Sequence, residues 1–310
     1  MSALVVVFDP SIRNGVPVGS HPNSGDEIIS LSVIREVRQV YPEAEILRVS
    51  SHVRPTAGDI AACRRADCII LGGSNLLGNA VRSRRQPWKA WRQWDVSLSD
   101  ARGIERAICL GVGWRDYERF VFPSTRTLFR SALASGGIHS ARDEYTRLKI
   151  QSIGSGTSVN TGCPTLWPLA VKPSDWVSRV RSSVVLATVT NYRRDPESDA
   201  RFIRLLQEAY EAVYLWPQGL GDGDYVRALG FRLNELGAGL GALDEFLREV
   251  HCDYVGTRLH GGIYCLNQGK RSLVLSVDNR AAEMCPEVGI PSVDRCDVGG
   301  IRQWVEDPVA

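Results

Sequence analysis

The residues best suited to chemistry lie close together in the stretch from Asp253 to Met284, which reads DYVGTRLHGGIYCLNQGKRSLVLSVDNRAAEM. Arg258 stands just before His260, and a pair of glycines, Gly261 and Gly262, follows directly. A guanidinium binds a carboxylate or phosphate through two parallel hydrogen bonds, and an imidazole can move a proton near neutral pH. Glycine lets a ligand approach the backbone without a Cβ in the way. The stretch therefore predicts a site for a small anion beside a proton donor.

A βαβ unit is the element expected to position these side chains. Tyr254 and Val255 form a short apolar strand before Arg258, and a second strand is predicted over 273–277. Ligands bind where the carboxyl end of a parallel strand leads into a helix, because free N–H groups and the helix dipole point there. The same residues also fit a surface ion pair, a carbonyl cap and a simple turn. With five histidines in the chain, one placed between an arginine and two glycines favours function.

The rest of the chain repeats this alternation of strand and helix. Further strands are predicted at 4–8, 46–49, 68–71, 107–110, 138–141, 184–190 and 212–216, with a strong helix at 26–40. Repeated βα units imply an α/β fold with doubly wound parallel sheets. We therefore expect an N-terminal Rossmann-like domain over 1–167 and a C-terminal one over 168–297. Residues 298–310 form a helix that could pack back on the first domain.

The composition is that of a soluble globular protein and excludes several function classes. The 310 residues include 37 Lys and Arg against 35 Asp and Glu, so the net charge gives no reason to expect a nucleic-acid partner. The start, MSALVVVFDP, indicates a first strand instead of a signal peptide, and no apolar run is long enough to span a membrane. The eight cysteines are scattered among apolar residues, which favours a reduced cytoplasmic setting and no structural metal.

Two loops of the first domain carry polar side chains near predicted strand ends. The first contains Asn23 and Asp26, and its glycine spacing is not that of a dinucleotide site. Asp26 suits the N-cap of the following helix as well as it suits a carboxylate that accepts a proton from a hydroxylated ligand. The second loop offers neutral hydrogen bonds from Ser74, Asn75 and Asn79. Sugar recognition and a simple turn both fit that loop.

One compositional anomaly is the segment VRSRRQPWKAWRQWD at 81–95, which combines five basic residues with three tryptophans. The spacing of Trp88, Trp91 and Trp94 places the indoles near one side of a predicted helix. Indoles stack on sugars and, together with arginine, suit an anionic lipid headgroup layer. A basic surface helix whose indoles pack on the domain fits equally well.

Taken together, these motifs resemble those of the polysaccharide pyruvyl transferase family. The segments that carry the resemblance, in the family's order, are Asn23-Ser24-Gly25-Asp26, Gly72-Gly73-Ser74-Asn75, Ser140-Ala141-Arg142-Asp143, Thr161-Gly162-Cys163-Pro164 and Arg258-Leu259-His260-Gly261, the last followed by Gly269-Lys270 and a strand. The Arg-Leu-His-Gly segment is specific, whereas the others carry weight as a set.

The resemblance implies a GT-B-like fold, in which two Rossmann-like domains face each other across a cleft. It implies that phosphoenolpyruvate is the donor, that a sugar diol of a glycan is the acceptor, and that the product is a pyruvyl ketal. Arginines would bind the phosphate and carboxylate of the donor, and His260 would protonate its methylene carbon without any cofactor. The residues expected to act are Arg142, Arg258, Arg280, Gly261 and Arg193 (or Arg194) on the donor, Asn23, Ser74, Asn75 and Asn79 on the acceptor, and Asp26 as base.

Two other functions fit the same residues. A GT-B glycosyltransferase could use arginines on the diphosphate of a nucleotide sugar, although the predicted second domain shows no clear acidic ribose clamp besides Glu283. A binding module for anionic sugars without catalytic activity is the second alternative. We expect a cytoplasmic protein whose acceptor is free or lipid-linked and whose residues 82–94 could contact the inner face of the membrane.

Overall fold

The computed structural model describes residues 2–12, 23–82 and 90–307, and of residues 81, 82, 90 and 91 it describes the backbone. The described chain divides into two compact units. The first unit contains residues 2–12, 29–82 and 90–164, and the second contains residues 23–28 and 165–307. Residues 23–28, which the sequence assigned to the first domain, therefore cluster with the second unit.

The first unit is built on parallel strands that alternate with helices. Its elements are β1 (Leu4–Asp9), α1 (Ser24–Val40, shared with the second unit), β2 (Glu45–Ser50), α2 (Ala57–Arg65), β3 (Cys68–Gly72), β4 (Val81–Arg82), β5 (Ala90–Trp91), α3 (Leu98–Ile104), β6 (Ala107–Leu110), α4 (Pro123–Ala132), β7 (Ile138–Ala141), α5 (Glu144–Ile153) and β8 (Thr157–Asn160). Four strands pair in the order β2-β1-β3-β6, and β7 pairs in parallel with β8. An isolated bridge from Val112 to Ala141 joins the end of β6 to β7.

The second unit is a single six-stranded parallel sheet flanked by helices. Its elements are α6 (Trp167–Ala170), β9 (Val184–Thr188), a 3-10 turn (Asn191–Arg193), α7 (Pro196–Ala209), β10 (Ala212–Leu215), α8 (Asp222–Ala228), β11 (Asn234–Glu235), α9 (Leu240–Glu249), β12 (Asp253–Gly256), α10 (Leu259–Asn267), β13 (Ser272–Ser276), α11 (Asn279–Val288), β14 (Ser292–Asp294) and α12 (Val298–Glu306). The strand order is β11-β10-β9-β12-β13-β14. The order reverses between β9 and β12, as in a Rossmann fold. The predicted α/β class with doubly wound parallel sheets is confirmed.

Apolar runs with the strand period build both sheets. Val5, Val6 and Val7 of β1 are all fully buried, as expected for a central parallel strand that is covered by helices on both faces. In the second unit, Val185 and Val255 pack in a core that also contains Ile301 and Val305 of α12. Helix α12 packs against α7 of the same unit, and its packing on the first domain stays a prediction.

The segment 81–95 departs from the predicted helix. The backbone at Val81–Arg82 and Ala90–Trp91 forms the antiparallel pair β4–β5, and residues 83–89, which include Trp88, lie outside the described part of the chain. Trp94 is 1% exposed, and its ring packs edge-on against Phe8 and stacks on Phe129. Trp94 therefore follows the alternative in which the indoles pack on the domain.

Candidate functional site

The carboxyl ends of β9 and β12 lie side by side at the reversal of strand order, where open α/β sheets bind ligands. The side-chain oxygens of Thr190 and Thr257 join the two loops by a hydrogen bond of 2.8 Å. Oγ1 of Thr188 accepts a hydrogen bond from the backbone N–H of Arg258 at 3.3 Å. The hydroxyl of Tyr254 donates to the carbonyl of Arg258 at 2.7 Å. Buried polar contacts thus fix the loop that carries Arg258.

Arg258 is buried and paired with Asp222, the first residue of α8. Its Nη2 lies 2.6 Å from both carboxylate oxygens, and its Nε lies 3.1 Å from Oδ2. Asp222 also accepts hydrogen bonds from the backbone N–H groups of Asn191, at 3.1 Å, and Gly219, at 2.8 Å. Burial raises the pKa of Asp222, whereas Arg258 and the two N–H groups act in the opposite direction. The pair therefore holds the guanidinium in one orientation.

Asp222 is a site residue that the sequence did not reveal to us. It follows the loop 217–221 at the carboxyl end of β10. A Cβ at Gly219 of this loop would lie 2.4 Å from Nη2 of Arg258, so only glycine leaves room for the guanidinium. The signal available in the sequence was the position of Asp222, an acidic residue directly after a glycine-rich loop that follows a strand. Its pairing with an arginine 36 residues away could not be read from spacing.

Arg280 comes near Arg258 through a shared aromatic ring. The centroid of the Tyr192 ring lies 5.0 Å from Cζ of Arg258 and 5.8 Å from Cζ of Arg280. Arg280 also donates to the hydroxyl of Tyr192 and to Asp278, the N-cap of α11, with Nε 3.0 Å from Oδ2. Cations are attracted to the face of an aromatic ring. The structure thus brings two of the predicted donor arginines to one tyrosine.

Tyr192 belongs to the turn in which the sequence predicted an arginine. The side chain of Arg193 is exposed, and its carbonyl accepts a hydrogen bond from Arg295. The alternative, Arg194, donates to the carbonyl of Asn191 at 3.0 Å. The tyrosine of the turn contacts both arginines of the site, so a donor-binding role for Arg193 stays a prediction.

His260 is the second residue of α10 and is 4% exposed. Arg258 occupies the N-cap position of the same helix. Both side chains therefore start where the positive end of the helix dipole meets the carboxyl ends of the strands. This is the placement predicted from the sequence for an anion-binding cation and a neighbouring proton donor.

Gly261 and Gly262 have a packing role that differs from the predicted one. A Cβ at Gly261 would lie 2.8 Å from Oε1 of Gln218 and 3.1 Å from the hydroxyl of Tyr254. A Cβ at Gly262 would lie 2.8 Å from Cγ2 of Val274. The close approach of α10 to the sheet explains both glycines without a ligand, and donor contact at Gly261 stays a prediction.

Gln218 lies between the starts of α10 and α1 within the second unit. Its carbonyl accepts a hydrogen bond of 2.9 Å from the backbone N–H of Ser24, and a Cβ at Gly25 would lie 2.7 Å from its Nε2. Its side-chain oxygen, Oε1, lies on the Gly261 side and has no hydrogen-bond partner in the described part of the chain. A buried acceptor is therefore available between two helix N-termini.

Asn23 and Asp26 both lie at the start of α1 and belong to the second unit. The side-chain oxygen of Asn23 accepts a hydrogen bond from the backbone N–H of Gly25 at 3.1 Å, as an N-cap does. Asp26 lies inside the first turn and is 8% exposed. The N-cap alternative for Asp26 is therefore wrong, and its carboxylate lies at the positive end of the helix dipole.

Arg142 lies at the carboxyl end of β7 in the first unit and is 1% exposed. Its Nε donates to Asp143, the N-cap of α5, at 3.1 Å. The guanidinium lies against Gly113, where a Cβ would be 2.2 Å from Cζ. Its Nη2 is buried without a hydrogen-bond partner among the described residues. Buried donors are usually satisfied, so this atom has capacity for an acceptor group.

Ser74 and Asn75 approach the same loop of the first unit. The carbonyl of Ser74 accepts a hydrogen bond from the backbone N–H of Gly113 at 2.7 Å. Ser74 has a φ of 57°, which is uncommon for a residue with a side chain and marks a tightly constrained loop. Oδ1 of Asn75 is buried without a hydrogen-bond partner within the described residues.

Asn79, the third residue predicted to bind the acceptor, serves the fold. Its Nδ2 donates to the carbonyl of Phe120 at 2.9 Å, and its Oδ1 accepts from the N–H of Phe122 at 2.8 Å. The side chain is buried, with 2% of the residue exposed. Because both ends of the amide are occupied, Asn79 anchors the loop before α4, and its role in acceptor binding stays a prediction.

The fold and these strand ends define a class of protein: an α/β protein of two Rossmann-like units in which arginines follow parallel strands. The structure resembles that of S. aureus MnaA in complex with UDP, with a TM-score of 0.54, 13% identity, and coverage of 99% of this chain and 89% of that one. For UDP-GlcNAc 2-epimerase from Neisseria meningitidis bound to UDP-GlcNAc, the TM-score is 0.44, the identity 11%, and the coverage 98% and 90%. The first likeness shows the fold and confirms the GT-B-like prediction.

The family follows from the sequence match. The profile of the polysaccharide pyruvyl transferase family matches residues 23–279, whereas no curated protein matches the chain. The protein belongs to the polysaccharide pyruvyl transferase family, as the motifs indicated, and its general activity is pyruvyl transfer onto polysaccharide. Within the described residues, none of the helices combines the length and the hydropathy that a membrane crossing requires.

Proposed function

We propose that the protein transfers the enolpyruvyl-derived group of phosphoenolpyruvate to two hydroxyls of a sugar and produces a pyruvyl ketal and inorganic phosphate. Family membership supports pyruvyl transfer onto polysaccharide. The observation that carries the finer proposal is the grouping of Arg258 and Arg280 around Tyr192, with His260 at the start of the same helix as Arg258.

Two arginines suit the two anionic groups of this donor. Arg258 and Arg280 each bind an acid through Nε and Nη2, which sets the plane of each guanidinium. Among the described residues, Nη1 of Arg258 and Nη1 of Arg280 form no hydrogen bond. Each guanidinium therefore retains N–H donors for a carboxylate or a phosphate. Because Asp222 and Asp278 balance the formal charges of the two guanidinium groups, the site would bind phosphate through directed hydrogen bonds without retaining it too strongly.

His260 is the proposed acid. It delivers a proton to the methylene carbon of the donor, so that C2 acquires oxocarbenium character and a sugar hydroxyl adds there. The bond from C2 to the phosphate oxygen then breaks, and the second hydroxyl adds to close the ketal. The two hydroxyl protons balance the proton given by His260 and the one taken up on the phosphate side. General acid catalysis of this kind contributes about 10² to 10⁴ in rate.

The remaining residues keep their predicted roles as part of the proposal. Asp26 is the proposed base for the attacking hydroxyl, and its position in the first turn of α1 lies in the second unit. Acceptor binding by Asn23, Ser74, Asn75 and Asn79 is likewise proposed. Donor binding by Arg142 is supported by its unfilled Nη2.

Replacement of His260 by alanine tests the proposal. We expect phosphate release from phosphoenolpyruvate, measured with a panel of hydroxylated sugar acceptors, to fall by about 10² to 10⁴. Donor affinity, measured by calorimetry, should change little because the arginines remain. The matched control is His251→Ala, which changes an exposed histidine and should leave turnover as in the wild type.

Three outcomes would contradict the proposal. Unchanged turnover in His260→Ala would remove the acid from the mechanism. A thermal shift with UDP- or CMP-sugars, in the absence of any shift with phosphoenolpyruvate, would instead favour a glycosyltransferase that uses a nucleotide sugar. A protein that binds donor but releases no phosphate with any acceptor would be a binding module.

A further inference from the structure

A cavity of about 440 Å³ lies at the opposite end of the second sheet, before the amino ends of β13 and β14. Its walls are residues of the segment 169–179, Leu266 of α10, residues 288–291 and Trp304 of α12. Arg258, His260 and Arg280 follow the carboxyl ends of strands and are not part of this lining. The cavity is therefore separate from the proposed donor site.

The lining carries three basic side chains and no carboxylate. Arg271 is buried and forms an ion pair with Asp253, with a distance of 2.8 Å between Nη1 and Oδ2. Lys172 and Arg179 have no ion-pair partner within 2–12, 23–82 and 90–307. Two positive charges thus remain without compensation in a concave site.

Two buried N–H groups at the wall also have no acceptor in the described part of the chain. These are Nε1 of Trp304 and Nε of Arg271, which is 2% exposed. The guanidinium of Arg271 lies 3.6 Å from the ring centroid of Trp304, so the two groups form one rigid wall. Unfilled buried donors are uncommon, so the hydrogen-bonding capacity of these two lining residues is not saturated within the described chain.

Another part of the lining is also ordered by an indole and a cation. Nζ of Lys172 lies 3.6 Å from the ring centroid of Trp176. The indole N–H of Trp176 bonds to the carbonyl of Leu266 at 3.2 Å, which fixes the ring against the end of α10. Two indole–cation pairs therefore belong to a lining that apolar side chains, including Leu169 and Ile290, complete.

We propose that this cavity binds a phosphate monoester that carries an apolar group. A phosphate dianion would balance the charges of Lys172 and Arg179, and its oxygens would be within the field of the unfilled donors of Trp304 and Arg271. The volume lies in the range of small-molecule sites, about 300–1,000 Å³, and exceeds what phosphate alone fills. The apolar group would contact the indoles and the aliphatic wall.

Binding of phenyl phosphate to the full chain, followed by calorimetry and tryptophan fluorescence, tests this site. We expect saturable binding by the wild type and by Arg280→Gln, which alters the proposed donor site only. The double variant Lys172→Gln with Arg179→Gln should bind at least about tenfold more weakly, because two charge-assisted hydrogen bonds are lost. Trp304→Phe, which retains a smaller aromatic ring and removes the N–H, should show a smaller loss.

The controls distinguish the loss of charge from a loss of folding and from non-specific binding of an aromatic ring. Arg201→Gln removes an exposed arginine elsewhere on the second unit and should bind like the wild type. Benzyl alcohol supplies the ring without the anion and should not bind. Absence of phenyl phosphate binding, equal binding by the double variant, or equal binding of benzyl alcohol would each overturn the proposal. Tighter binding of farnesyl phosphate than of phenyl phosphate would assign the ligand to lipids, and the reverse order to free metabolites.

Discussion

Both units place an arginine between the end of a strand and the start of a helix, but they hold it differently. In the second unit, the partner of Arg258 is Asp222, which comes from a different βα unit and binds two nitrogens of the guanidinium. In the first unit, Arg142 bonds through Nε to the adjacent residue, Asp143. Its Nη2 has no hydrogen-bond partner among the described residues.

The difference shows that equal topological position does not mean equal chemistry. A carboxylate from a distant loop sets both the plane and the direction of the guanidinium of Arg258, so that the fold preorganises this group for an anion. A carboxylate on the next residue restrains only one nitrogen of Arg142, which retains hydrogen-bonding capacity. In the second unit, the stability of the fold and the binding of an anion therefore depend on the same ion pair. In the first unit, a change at Arg142 can affect binding without an equal effect on stability.

Removal of the Asp222 charge should produce the largest effect. In Asp222→Asn, the buried guanidinium of Arg258 loses its counter-charge, and breaking a buried pair in this way costs about 3–5 kcal/mol. We expect the free energy of unfolding, measured with urea, to fall by that amount, and donor affinity to fall with it. The control Asp224→Asn changes a carboxylate of the same helix, and the side chain of Asp224 is 82% exposed. The urea midpoint of this variant should match that of the wild type. Equal midpoints for the two variants would show that the pair does not hold the second unit together.

A methyl group placed against each arginine should have the next largest effect. Gly219→Ala brings a Cβ to 2.4 Å from Nη2 of Arg258, and Gly113→Ala brings one to 2.2 Å from Cζ of Arg142. Overpacking of this kind costs about 1–3 kcal/mol. Both variants should be destabilised in urea, and Gly219→Ala should also weaken phosphoenolpyruvate binding in calorimetry.

The response of Gly113→Ala sharpens the comparison between the arginines. If its donor affinity falls as in Gly219→Ala, Arg142 shares the donor; if only its stability falls, Arg142 acts elsewhere. Gly241→Ala and Gly136→Ala are the matched controls, since a Cβ at either position would meet no atom within 4 Å. Loss of stability in these controls would mean that the effect arises from glycine replacement itself.

The smallest effect is expected from two asparagines of one loop. Asn79→Ala leaves the carbonyl of Phe120 and the N–H of Phe122 without their partner, which costs about 1–3 kcal/mol. Asn75→Ala removes an amide whose Oδ1 has no partner in the described chain and should change the urea midpoint less. If Asn75 binds the acceptor, its replacement should raise the acceptor KM with little change in stability. A larger stability loss at Asn75 than at Asn79 would reverse the roles assigned to them.

The strand and helix pattern could be predicted because it depends on local periodicity. Apolar runs such as that of β1 and the stripe of α1 lie within one segment of chain, and the Arg258-Leu259-His260 motif is likewise local. The placement of Arg258 and His260 at the carboxyl end of β12 followed from these signals.

The remaining features depend on contacts between distant segments. Nothing near Asp222 in sequence indicates its pairing with Arg258, and the spacing of Trp94 with its neighbours fits a helix although its ring packs on Phe8. Similarly, the packing of Gly261 on Gln218 cannot be seen from either residue alone. Side chains that depend on tertiary partners were therefore the ones whose contacts the sequence did not reveal.

The pair between Arg258 and Asp222 has a practical consequence for protein engineering. A grafted Arg-Leu-His-Gly segment would arrive in another scaffold with its cation unrestrained, because the carboxylate that orients it lies on a separate strand connection. A functional transplant would have to include the Gly219 loop and its acid, together with the neighbouring strands that keep the two connections in register.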